Sequence, residues 1–185
     1  MGFPVKNGPR TRKLGDSFVQ AVMQIESCLG KVVLVGLGKS GYIGQKIAST
    51  FSSLGVPAFF LHPTEAMHGD FGQVMKEDLI LAIAYSGQTR EVLSLTKNAK
   101  SFGLKVIAIT GCTNSPLAQI CDIHLDIQVP EEADPASVAP TCSSTATLAL
   151  GDALAVAVSS LKNFKLTDFA RLHPGGALGR SLSSV

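Results

Sequence analysis

No tryptophan and only two tyrosines occur among the 185 residues, and charged residues make up just 16% of the chain. There is no run of basic residues, and the formal charge is +2. Without a basic stripe, nucleic-acid binding has no electrostatic support, whereas a slightly basic cleft for a small anion fits this balance. The four cysteines, Cys28, Cys112, Cys121 and Cys142, include no closely spaced pair. That argues against a zinc ribbon or a redox pair and leaves reduced, partly buried thiols of a cytoplasmic protein. Residues 1–13 are polar, with Gly2, Pro4, Gly8 and Pro9 and no apolar core, so they read as a flexible lead-in and not as a signal peptide. The most apolar stretch, Ala146 to Val158, is interrupted by Gly151 and Asp152. It is shorter than the roughly 20 residues a membrane-spanning helix needs. What is present is a 45% hydrophobic content, enough for a real core. A soluble domain over residues 14–185 is the expectation.

The apolar residues are organised as strands and helices in alternation. Lys31-Val-Val-Leu-Val35 is a β-branched run between Gly30 and Gly36, and reads as a buried strand. Further strands are predicted at 57–61, 78–83, 105–109 and 122–126, with helices at 16–29, 40–54, 89–102 and 115–120. Continuous apolar strands separated by amphipathic helices imply a parallel sheet covered on both faces. The alternation then stops. A proline-rich loop, Pro130 to Pro140, leads into a long helix over 143–161 that is apolar on nearly every face, so a second subunit is its natural cover. A short helix at 167–172 and a glycine-rich end, Gly175 to Gly179, follow.

In such a sheet, ligands bind outside the carboxyl ends of the strands, where the chemistry-bearing loops should sit. The first strand runs into Gly36-Leu37-Gly38-Lys39-Ser40-Gly41. The glycine spacing matches a dinucleotide fingerprint, but the second strand ends Phe59-Phe60-Leu61-His62, without the acid that would hold a ribose. The spacing fails the P-loop as well, since Val33 stands where that motif needs glycine. What survives is a tight turn at a helix N-terminus with a lysine and a hydroxyl, suited to one phosphate. The third strand ends in a similar turn, Ala84-Tyr85-Ser86-Gly87-Gln88-Thr89. Helix capping explains one such turn; two on one sheet edge point to an anion. Thr141-Cys142-Ser143-Ser144-Thr145 opens the long helix and serves either capping or the same anion. The loop His62-Pro63-Thr64-Glu65-Ala66-Met67-His68-Gly69-Asp70 carries two histidines and two acids. Pro63 and Gly69 argue against a helix there, and no helical metal-ligand pair results. Acid–base or hydroxyl-binding roles are favoured, since histidine titrates near neutrality.

These stretches resemble the sugar isomerase (SIS) domain, and within it the arabinose-5-phosphate isomerases. The resemblance also rests on Ala139-Pro140-Thr141, on the segment Thr145 to Val156, and on Asp168-Phe-Ala-Arg-Leu-His173-Pro-Gly-Gly-Ala-Leu-Gly-Arg180. It spans residues 30–182. It implies a three-layer α/β sandwich with a five-stranded parallel sheet (flavodoxin-like or Rossmann-like), forming homotetramers and acting on a sugar phosphate without cofactor or metal. The positions matching the family's functional residues are Lys39, His68, Glu91, Glu132 and His173, with the last histidine reaching a neighbouring subunit's site. Gly38, Ser40, Ser86, Thr89 and Thr141 fall around the phosphate. The chain departs from the family where Ala84-Tyr85-Ser86-Gly87-Gln88-Thr89 replaces the usual Ser-Asn-Ser-Gly-Glu-Thr; losing the first hydroxyl is expected to alter phosphate affinity. Tyr42 replaces a common histidine, and Asp134 a common cysteine. The two regulatory CBS modules of most relatives are expected to be missing.

The implied reaction is the interconversion of D-arabinose 5-phosphate and D-ribulose 5-phosphate through an enediol, feeding octulosonate synthesis for lipopolysaccharide. Glu132 is expected to move the proton between C2 and C1. Glu91 shares that task or orients the sugar, His173 opens the ring, and His68 and Lys39 bind hydroxyls and enediolate charge. Three other readings compete. One is a non-catalytic phosphosugar sensor, which would need a DNA-binding segment. Another is an isomerase of a different sugar phosphate. The third, a dinucleotide-dependent oxidoreductase, is disfavoured by the missing ribose acid. No partner of nucleic acid or membrane is expected.

Overall fold

A computed structural model describes residues 15–176; the expected lead-in over 1–13 and the end of the glycine-rich tail lie outside them. The apolar runs form five strands: β1 (Val32–Gly36), β2 (Ala58–Leu61), β3 (Leu79–Ile83), β4 (Lys105–Thr110) and β5 (Ile123–Asp126). All are parallel, in the order β2-β1-β3-β4-β5, the flavodoxin-like order. Every residue of β1 and β3 is buried, as expected for interior strands covered on both faces, whereas the edge strands β2 and β5 are mostly half-buried.

Strand alternation sorts the side chains into two cores. Val32, Leu34, Leu81, Ile83 and Ile109 point to the face covered by α1 (Gly15–Glu26), α2 (Lys39–Ser53) and α6 (Cys142–Leu161). Val33, Val35, Ile80, Ala82 and Ala108 point to the other face, covered by α3 (Pro63–Ala66), α4 (Arg90–Ser101) and α5 (Pro116–Ile120). The three-layer sandwich is therefore a direct consequence of period-two burial. A last helix, α7 (Leu166–Leu172), follows α6.

Two expectations need correction. Helix was not expected beside Pro63, yet α3 begins there, with Pro63 at its first position. At that position the missing N–H has no intrahelical partner to lose, and the ring's fixed φ suits the helix. His62 is the N-cap of α3 and His68 lies past its end, so no helical ligand pair arises. The second correction concerns α6. The helix expected over 143–161 is observed and runs through Gly151 and Asp152. What changes is the expectation that the apolar stretch is too short to span a bilayer, since its 20 residues are long and apolar enough, by length and composition, to cross a membrane. Packing decides its role instead. Leu150, Leu154, Ala155 and Val158 join the core beside Ile47 and Phe51 of α2, and Asp152 accepts from Lys46 Nζ of α2 at 2.6 Å. Val156 and Leu161 remain exposed.

At the amino ends of the strands one carboxylate ties β1 to β3. Asp78 has a fully buried side chain that pairs with Lys31 Nζ at 3.1 Å. It accepts from Lys31 N at 2.7 Å and from Met75 N at 2.8 Å. Asp78→Asn turns an amide NH2 toward a site furnished only with donors. It should lower unfolding free energy by about 1–3 kcal/mol, read as a reduced urea midpoint at unchanged slope.

Candidate active site

The chain leaves β1 toward β2 and returns on the other side as β3, so the loops after β1 and β3 part and leave a crevice. The register pairs Gly36 with Ile83, which sets the Gly38-Lys39-Ser40 turn beside the Ala84–Thr89 turn. Gly38 is the N-cap of α2, and the first turn of that helix holds no acid. Its leading amides lack intrahelical partners and carry the positive end of the helix dipole. Lys39 is exposed at this point. In the second turn Gly87 has φ 63°, and a Cβ there would lie 2.0 Å from Ser115 Oγ, so only glycine fits. Ser86 Oγ accepts from Gln88 N at 3.2 Å. Thr89 is the N-cap of α4, but its hydroxyl makes no capping bond and stays available. Glu91 follows, half-buried in the first turn of α4.

The loop before α6 is held by two carboxylates. Asp134 accepts from Ala136 N at 3.1 Å, Val138 N at 2.9 Å and Ala139 N at 2.8 Å. Glu132 reaches the start of α6. Its Oε2 accepts from Thr141 N at 2.8 Å, Thr141 Oγ1 at 3.1 Å and Ser143 N at 3.2 Å. Its Oε1 accepts from the Ser143 hydroxyl. These donors, the Ser143 hydroxyl foremost and the Thr141 amide next, lower its pKa to about 2. Glu132 is therefore fully ionised at neutral pH, with its oxygens fixed in place.

A group with a depressed folded pKa stabilises the fold above its unfolded value. That contribution should be present above an ordinary value of 4.5 and fade as pH falls toward about 2. Ser143→Ala removes the largest cause. The Glu132 titration, followed by carboxyl-carbon NMR, should move upward toward 4.5. An unchanged titration would show that the Ser143 hydroxyl does not hold the carboxylate.

Lys39, Ser40, Tyr85, Ser143, Ser144 and Thr147 line one small cleft of about 40 Å³. It joins the start of α2, the end of β3 and the start of α6, with Glu132 tied to its wall through Ser143. Thr141, expected near the phosphate, instead spends its hydroxyl on Glu132 Oε2 and on Ala133 N. His68 is exposed between α3 and a 3₁₀ turn, Asp70–Gln73. Glu91, Ser86 and Thr89 share the sheet edge with the cleft without lining it.

His173 is elsewhere. Its ring stacks on Phe169 at 3.9 Å, Nδ1 lies 2.8 Å from Phe169 O, and Nε2 lies 3.3 Å from Ser53 Oγ. Ser53 ends the helix that Lys39 begins, about 20 Å away at 1.5 Å per residue. One chain therefore does not bring His173 to its own cleft.

No periodicity in the sequence points to the pairing of Ser143 with Glu132, to the pinning of the loop by Asp134, or to the bond that the Tyr85 hydroxyl accepts from Val129 N at 3.2 Å. Only Asp134-Pro135 carried a local signal, as an aspartate–proline turn starter. Among the described residues, no three of His, Cys, Asp and Glu cluster as metal ligands.

Known proteins resemble this chain in sequence and fold. A model of the SIS domain matches residues 27–157. Arabinose 5-phosphate isomerase KdsD of Pseudomonas aeruginosa is 49% identical over 170 residues, covering 92% of this chain and 52% of its own. The KdsD of Yersinia pestis is 50% identical over 169 residues, covering 91% and 52%. The chain thus spans about half the length of the curated relatives it matches. A solved Escherichia coli CFT073 protein in complex with arabinose 5-phosphate superposes with a TM-score of 0.79 at 41% identity, covering 89% of this chain and 96% of that one. With the family model matched over most of the sandwich and its loops, the chain belongs to the SIS-domain family.

Proposed function

We propose that this chain is an aldose–ketose isomerase interconverting D-arabinose 5-phosphate and D-ribulose 5-phosphate. The observation that carries this reading is a fixed, ionised Glu132 tied to the wall of a hydroxyl-lined cleft that also holds Lys39. Similarity to proteins named arabinose 5-phosphate isomerase supports the choice of sugar. Lys39, Ser40, Ser86, Thr89 and the leading amides of α2 hold the phosphate. Thr141 and Ser143 hold the base.

The open sugar presents C2–H to Glu132. Glu132 removes that proton while the C–H electrons form the C1–C2 double bond, and the C1 carbonyl oxygen takes up a proton. The proton lost from O2 restores the donor that protonated O1, the C2 carbonyl forms, and the C1–C2 electrons take the proton back from Glu132 at C1. A carboxylate at pKa about 2 is a weak base in the free protein. A bound sugar that excludes water raises its proton affinity. Glu91 orients the sugar, His68 binds its hydroxyls, and Lys39 stabilises enediolate charge. Ring opening falls to a histidine supplied by the neighbouring subunit of a homotetramer, equivalent to His173. The enzyme would work in the cytoplasm, without cofactor, and feed octulosonate synthesis for lipopolysaccharide.

The test is a comparison of kcat/KM for D-arabinose 5-phosphate with that for six-carbon sugar phosphates, beside calorimetric binding of each. Preference for the pentose phosphate supports the reading. Binding without turnover of any sugar makes the chain a sensor module, and turnover of a hexose phosphate alone makes it a different isomerase.

A further inference from the structure

Tyr85 follows the end of β3, and its contacts span three loops. Its backbone O accepts from Gly111 N at 2.8 Å, at the end of β4. Its ring lies against Gly111 so closely that a Cβ there would come within 2.2 Å of the ring. Its hydroxyl accepts from Val129 N at 3.2 Å. Val129 directly precedes the proline-rich loop that carries Glu132. Tyr85 also lines the cleft with Lys39 and Ser40. A phenol held at its backbone, its ring and its hydroxyl has little freedom, so its contact with Val129 is a fixed anchor for the entry to the Glu132 loop. The far end of that loop is tied by Glu132 itself to α6. With both ends fixed, the carboxylate keeps one position relative to the cleft.

We propose that Tyr85 is a positioning residue for the isomerisation: its hydroxyl fixes the start of the Glu132 loop, and so sets where the base meets the sugar. This rests on the isomerase reading above. The anchor acts on the proton-transfer step and not on the phosphate, so it should appear in kcat rather than in KM.

The variant is Tyr85→Phe, which keeps the ring over Gly111 and removes only the hydroxyl. With D-arabinose 5-phosphate, kcat should fall about 5–10-fold, the scale of one neutral hydrogen bond, while KM stays within about twofold. In a Glu132→Gln background the same change should alter kcat by less than about twofold, because a residue acting through the base has nothing left to position. A second readout does not need turnover: freeing the loop should raise the Glu132 titration, followed by carboxyl-carbon NMR.

Equal losses in both backgrounds, or a rise in KM alone, would overturn the positioning role. So would an active wild type in which neither kcat nor the Glu132 titration responds to Tyr85→Phe. A wild type that does not turn over the sugar, but whose Glu132 titration does respond, would sink the isomerase reading and leave the anchor standing.

Discussion

Glu132→Gln should lower kcat for D-arabinose 5-phosphate by about 10²–10⁴-fold, the usual scale for a general base. The substitution keeps the length and planarity of the side chain. The amide oxygen can still accept from Thr141 N and Ser143 N, which lie 2.8 Å and 3.2 Å from Oε2. The loop should therefore keep its course, although the stability that depends on Glu132 being ionised is lost. What disappears is the negative charge and the ability to take a proton from carbon. Sequence reasoning left the base open between Glu132 and Glu91, and the two differ in surroundings. Glu132 is fixed by four donor groups at the cleft wall. Glu91 lies half-buried in the first turn of α4, where an acid also favours the helix dipole. Glu91→Gln should accordingly cost less than Glu132→Gln. A loss below tenfold for Glu132→Gln, with a larger loss for Glu91→Gln, would exchange the two roles.

His173→Ala should lower kcat to a comparable extent, about 10²–10⁴-fold, and the loss should be repairable in trans. His173 packs on Phe169 and Ser53, at the opposite end of α2 from Lys39. Under the reading proposed above, a histidine so placed serves the cleft of a neighbouring copy. Two inactive variants, His173→Ala and Glu132→Gln, then complement each other. Hybrid assemblies formed by co-expression contain sites with an intact Glu132 from one chain and an intact His173 from the other. Activity at least tenfold above either variant alone is expected. Absence of recovery, with hybrids present by native mass spectrometry, would show that His173 does not serve a neighbour.

The sheet was legible because interior parallel strands must be apolar on both faces, and Val32–Val35, Leu79–Ile83 and Val106–Ile109 carry no other pattern. Element ends were placed within a few residues for the same reason. Short-range exceptions were harder to see. Pro63 looked like a breaker and became a first helical residue, which depends on the direction from which the chain enters. The helix expected over 143–161 does run through Gly151 and Asp152, and Lys46 accounts for the aspartate. In the site, Lys39, Ser40 and the turn at Gly87 follow from the rule that parallel sheets bind at their carboxyl edge. The tie between Glu132 and Ser143 spans 11 residues through an irregular loop, and no periodicity encodes it. The hydroxyls of Thr141 and Ser143 were legible as a cluster, but whether they served a phosphate, a helix cap or a carboxylate depended on where Glu132 folds back.

Under the proposed function, this chain isomerises a five-carbon sugar phosphate with its own side chains. The most direct test is turnover by purified, EDTA-treated wild-type protein, with D-ribulose 5-phosphate supplied and D-arabinose 5-phosphate followed by NMR. Steady conversion to an equilibrium mixture is expected, unchanged by added divalent metal. Tight binding of the sugar with no conversion, or conversion that appears only when metal is restored, would contradict it.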